Sequence, residues 1–270
     1  MSRVRVLLAV LAALALALVT TVAGPAAAQD GARIHLIHGI PDVDVDVEAN
    51  GANVFEGFSF GDTQDLSSLA GAELAGVKVK AAGTDTVAID AGDLTLPDSG
   101  NTTIIAHLDA DGDPTISIFS NDTSTIDAGE GRIIVRHTAA APAVDIKANG
   151  DVAFAGVENG QGGGADLPTG TISAEVVPAG ADEPVVIGPA DLPINEGEAL
   201  IVYAVGSLEA GNLSVLTETI TGLHGTPTEV NTGTSAVSDG LGLGALAAAL
   251  GAMVVLGGGG LVLARRSQDA

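Results

Sequence analysis

The strongest constraint in this sequence is that it repeats itself. Set against its own copy at a separation of 99 residues, Arg33-Ile34 falls on Arg132-Ile133, His38 on His137, Val45-Asp46 on Val144-Asp145, and Ala49-Asn50-Gly51 on Ala148-Asn149-Gly150. Phe55, Gly57 and Gly61 then fall on Phe154, Gly156 and Gly160 without a gap. Farther along the separation shortens to 97, pairing Ala82-Gly83 with Ala179-Gly180 and Ile116-Ser117-Ile118 with Leu213-Ser214-Val215. A unit of this length is a whole domain, because solenoid and propeller units run to only about 20–50 residues.

Within each copy the apolar period is two. Val43, Val45 and Val47 alternate with Asp42, Asp44, Asp46 and Glu48, and Val77 and Val79 alternate with Lys78 and Lys80, the pattern of strands with one dry face. Further strands are expected at 33–38, 86–89, 102–108 and 115–119, with counterparts at 132–137, 143–148, 172–177, 185–187, 199–205 and 213–216. Asn50-Gly51, Asn149-Gly150 and Asp111-Gly112 are turn dipeptides between them. Short strands at this density, with no convincing helix, predict an all-β chain of two tandem Ig-like β-sandwich domains, residues 29–128 and 129–220, each burying its own valine-rich core.

The two ends read differently. Residues 1–28 carry Arg3 and Arg5, an apolar run and then Pro25-Ala26-Ala27-Ala28, the layout of a cleavable signal peptide. Residues 221–240 form a polar stalk containing Pro227. Residues 241–264 are uncharged and mostly apolar, and as a helix they would reach about 36 Å, enough to cross a bilayer. Arg265-Arg266 follow at once, which predicts a cytoplasmic tail at 265–270 and places the preceding domains outside the cell membrane. Gly257–Gly260 weaken the helix, leaving proteolytic removal of the anchor as the alternative.

A net charge of −24 argues against nucleic acid as a partner, since such binding needs clustered Lys and Arg. With no cysteine, disulfides, thiolate metal sites and cysteine nucleophiles are excluded. No nucleophile elbow, phosphate loop or dinucleotide fingerprint occurs, so no enzyme activity is expected.

Two arrangements could carry chemistry. His38 and His137 recur at the end of the first strand of each copy, with Asp46 and Asp145 eight residues on. An imidazole beside a carboxylate suits acid–base work or a metal; it equally suits a bond tying the turn to the following strand, the reading favoured by the lack of a third ligand at fixed spacing. Asp109, Asp111 and Asp113 share a Gly-containing loop, and oxygen-rich loops suit calcium, which makes these three the candidate metal ligands and calcium the candidate ion. The loop departs from the EF-hand spacing, and a plain Asp-Gly turn is the competing reading. The acidic row Asp42, Asp44, Asp46 and Glu48 reads as a solvated strand face.

The run from Arg132 through Arg136-His137, Pro142 and Val144-Asp145 to Asn149-Gly150 closely resembles the opening signature of the domain-of-unknown-function 4397 family. The first copy is a variant, with His38-Gly39-Ile40-Pro41 as the turn and Ile37 where the second has Arg136. The resemblance implies two tandem copies in an exported bacterial protein, with no activity to carry over. The expected role is structural or adhesive at the cell envelope, with an envelope partner; the alternative is a calcium-dependent extracellular binding module.

Overall fold

The computed structural model describes residues 31–225. The expected signal peptide, most of the stalk, the spanning helix at 241–264 and the tail at 265–270 lie outside these residues. Among the described residues no helix is long and apolar enough to cross a membrane.

The chain is all-β. The first repeat holds β1 (Arg33–His38), β2 (Val45–Ala49), β3 (Ala52–Phe58), β4 (Thr63–Asp65), β5 (Glu73–Ala81), β6 (Val87–Thr95), β7 (Asn101–Leu108) and β8 (Pro114–Asn121). The second holds β9 (Glu130–His137), β10 (Val144–Ala148), β11 (Asp151–Val157), β12 (Gln161–Pro168), β13 (Gly170–Pro178), β14 (Ile187–Ile194), β15 (Ala199–Val205) and β16 (Ser214–Ile220). Sheets β4-β1-β7-β8 and β3-β2-β5-β6 of the first repeat recur in the same order as β12-β9-β15-β16 and β11-β10-β13-β14.

This order corrects the Ig-like expectation. An Ig sandwich puts its third strand on the opposite sheet from its second, whereas β3 stays beside β2 and β1 pairs in parallel with β7. The reason is local: Asn50 and Gly51 both take positive φ, 54° and 74°, forming a tight turn that returns the chain onto the same sheet. Asn149 and Gly150 repeat this with φ of 52° and 91°. The strands that periodicity passed over, β3, β4, β11 and β12, are all sheet edges, where half-exposed side chains and glycines replace the alternating valines.

Three apolar cores follow from strand alternation. Ile34 and Ile104 face the companion sheet with Leu66 and Leu96, while Val45, Phe58, Val79 and Ala106 continue that interior. Ile133, Val135 and Ile194 form the corresponding core of the second repeat, with Phe154 packed against them. The opposite faces of the same strands meet across the repeats, where Ile37 and Ile105 pack with Ile134, Ile201, Tyr203 and Val205. β1, β7, β9 and β15 are therefore covered on both faces, and the described residues form one compact unit.

Candidate functional site

The repeated histidines and aspartates do not bond to each other. His38 Nε2 lies 2.8 Å from the Val43 carbonyl oxygen, and His137 Nε2 lies 3.1 Å from that of Pro142, so each ring ties the turn after its strand. Asp46 accepts the N–H groups of Gly57 and Gly83, both at 2.8 Å; Asp145 accepts those of Gly156 and Gly180, at 2.7 and 2.8 Å. Gly57 and Gly156 take positive φ, and each carboxylate joins its strand to the irregular neighbouring edge strand and to the turn that follows the other neighbour. These N–H bonds hold both carboxyls below the usual aspartate range. The duplicated signature is thus a set of backbone ties.

In the Asp109–Asp113 loop, Asp109 Oδ1 accepts the N–H groups of Asp111 and Asp113, each at 2.9 Å, and Gly112 closes the turn onto the Asp109 carbonyl. Among the described residues no group of three or more His, Asp or Glu side chains is placed to hold a metal ion. The acidic row also divides. Asp42 sits in the turn with φ of 63°, Asp46 is buried, and Glu48 pairs with Lys80.

Two features escaped the sequence. The first is a polar knot inside the core between the repeats. Glu218 on β16 receives His35 Nδ1 at 2.5 Å, Thr103 Oγ1 at 2.8 Å and Tyr203 OH at 3.0 Å, joining β1 and β7 to β15 and β16. Burial, reinforced by Glu218, pushes the Tyr203 phenol well above its ordinary value. Arg136 donates to Asn121 Oδ1 at 2.6 Å, and its guanidinium lies 4.2 Å from the Phe119 ring centre. Ile37, which stands in the first copy where the second has Arg136, packs in the same core between the repeats.

The second is a cavity of about 230 Å3 between the two sheets of the first repeat. Its wall is almost wholly apolar, including Leu36, Val47, Phe55, Leu74, Val79 and Ile116. The edge strands of the two repeats differ at that side. β12 pairs with β9 along eight residues and brings Gly163 under the Phe154 ring, where an added Cβ would lie 2.5 Å from a ring carbon. β4 pairs with β1 over three residues and then turns away through a 3-10 turn at Ser67–Leu69. Phe55, the counterpart of Phe154, therefore lines the cavity, and Val54 and Leu69 at its wall are 50% and 42% exposed.

His38 is the polar member of this wall that lacks a full set of partners. Its Nδ1 is buried with no hydrogen-bond partner, whereas Nδ1 of its counterpart His137 receives the Ala139 N–H at 3.4 Å. Burial lowers the His38 pKa, opposed by the Val43 carbonyl, so the ring is neutral at pH 7. With Nε2 donating to Val43, Nδ1 is the unprotonated ring nitrogen, enclosed by its neighbours.

Residues 32–147 match the family model of a domain of unknown function (DUF4397). The match covers the first repeat, cavity included, and runs through β9 to Lys147 in β10. No curated protein matches the chain.

Proposed function

We propose that this is an exported bacterial cell-surface protein, anchored by residues 241–264 with its β domains outside, whose role is structural or adhesive rather than enzymatic. The observation that carries the reading is the union of the repeats through a buried core and the Glu218 knot, which makes one stiff body of two domains. The ends of that body suit display: Gly31, Arg33, Gly222 and His224 line one surface groove, so the first and last described residues lie on the same side. Asp42, bonded to Asn212, and the Asp109–Asp113 loop lie at the opposite ends of the strands. The second repeat is a second copy of the same domain, supported by the shared strand order and by the matching ties of Asp46 and Asp145.

The test is protease added to intact cells. Loss of the 29–240 region is the expected result. Its survival while another surface protein in the same sample is digested would overturn the proposed topology.

A further inference from the structure

We propose that the cavity of the first repeat is a slot for one alkyl chain of about nine carbons, the tail of an amphiphile whose polar head stays outside, between β3 and the 3-10 turn at Ser67–Leu69. This goes beyond the surface role and does not depend on it.

The shape selects a chain. Val45, Val47 and Ala49 line the cavity from successive inward positions of β2, and that stretch of strand covers about 13 Å. Spread over this length, a volume of about 230 Å3 leaves a cross-section of about 18 Å2, the section of a single extended hydrocarbon chain. The volume sets how much of it fits: an apolar cavity of about 150 Å3 takes up benzene, and in the same proportion about 230 Å3 takes about nine carbons.

The wall selects a tail with no polar atom inside. His38 and Asn50 are the polar residues among those lining it. The His38 ring is fully buried, with Nε2 committed to Val43 and Nδ1 enclosed by its neighbours, so it offers nothing to a molecule in the space. Asn50 sits in the exposed turn between β2 and β3, and its Oδ1 accepts the Ala75 N–H. A hydroxyl, amine or carboxylate carried into the slot would lose its water and find no partner.

The polar end therefore stays at the mouth. Asn50, Val54 on β3 and Leu69 in the 3-10 turn all border the cavity and are exposed, and they stand where β4 leaves its sheet after three residues paired with β1. Ala49 adjoins this mouth beside Asn50, while Ala106 on β7, packed with Val45 and Val79, closes the far end.

The experiment is calorimetric titration of the full-length chain, freed of detergent, with hexanoate, octanoate, decanoate and dodecanoate below their micelle concentrations, and with 1-adamantanecarboxylate, a compact cage bearing the same head. One saturable equivalent of decanoate is expected. Affinity should rise on the order of tenfold with each added pair of methylene groups as far as decanoate, and by less than about threefold from decanoate to dodecanoate, whose extra carbons stay outside. The cage should bind roughly tenfold more weakly than decanoate, or worse. Ala106→Leu shortens the slot and should move the levelling-off from decanoate to octanoate. Ala49→Leu narrows the slot at its mouth and should weaken every chain, so a folding failure of one variant leaves the other to decide. Absence of saturable binding to the unaltered chain, or unchanged binding by a folded filling variant, would overturn the site. Affinity that keeps climbing through dodecanoate, or a cage that binds as well as decanoate, would overturn the single-chain slot. Because the readout is independent of cell location, failure here leaves the surface topology standing, and failure of the protease test leaves this site standing.

Discussion

His38, His107 and His137 are buried, and burial holds all three below the ordinary histidine value of 6.5 against the opposing pull of the carbonyl oxygens of Val43, Leu108 and Pro142. In the unfolded chain each takes a proton as pH falls through about 6.5, while in the folded chain protonation waits for a lower pH. The unfolded state therefore binds protons first. The stability from the neutral rings is complete above 6.5 and is lost as pH falls toward the folded values. The melting temperature should drop between pH 7.5 and 5, before Asp46 and Asp145, whose contribution is lost only as pH falls below 3.8. His107→Gln should make that drop shallower, because it removes one of the three buried rings whose neutral form is favoured, a ring held by the Leu108 carbonyl and Ser117 Oγ. A calorimetric melting temperature that stays flat across this range would contradict the argument.

At the scale of elements, the two repeats differ most in one edge strand. Gly163 on β12 lies opposite Val135, and Gln64 on β4 lies opposite Leu36, the same place in each sandwich. A side chain at 163 would strike the Phe154 ring, so Gly163→Val should destabilise by about 1–3 kcal/mol, the usual cost of overpacking. Gln64 is exposed, and Gln64→Val should stay within about 0.5 kcal/mol of the unaltered chain. Denaturant titration of the two variants checks the pair. Equal effects would mean that the closed edge does not depend on the absence of a side chain there.

For the whole molecule, the shared core sets the cooperativity. Each repeat has an interior of its own, so halves cut between residues 128 and 129 should each retain β structure. Cutting also exposes Ile37 and Ile105 on one half and Ile134, Ile201 and Tyr203 on the other, and strips Glu218 of His35 and Thr103. Both halves should melt at lower temperature than the joined chain and should associate when mixed, as read by calorimetry and sedimentation. Halves as stable as the whole, with no association, would show that the contact between repeats adds nothing.

The sequence alone determined the class of fold, the duplication and most central strands, because alternation of Val and Ile with polar residues and the turn dipeptides Asn50-Gly51 and Asn149-Gly150 act over a few residues. Alternation failed at β3, β4, β11 and β12, edges whose residues answer to a neighbour far along the chain. It also misjudged Asp46, which looks like one of a row of exposed acids until Gly57 and Gly83 are brought to it. The candidate site lay beyond its reach for the same reason. Glu218 sits 183 residues from His35, and nothing in either neighbourhood announces the other. The cavity opens beside a strand that leaves its sheet after three residues. Only the tertiary structure decided these, because which side chains meet across sheets and between repeats depends on register and packing, which local periodicity does not encode.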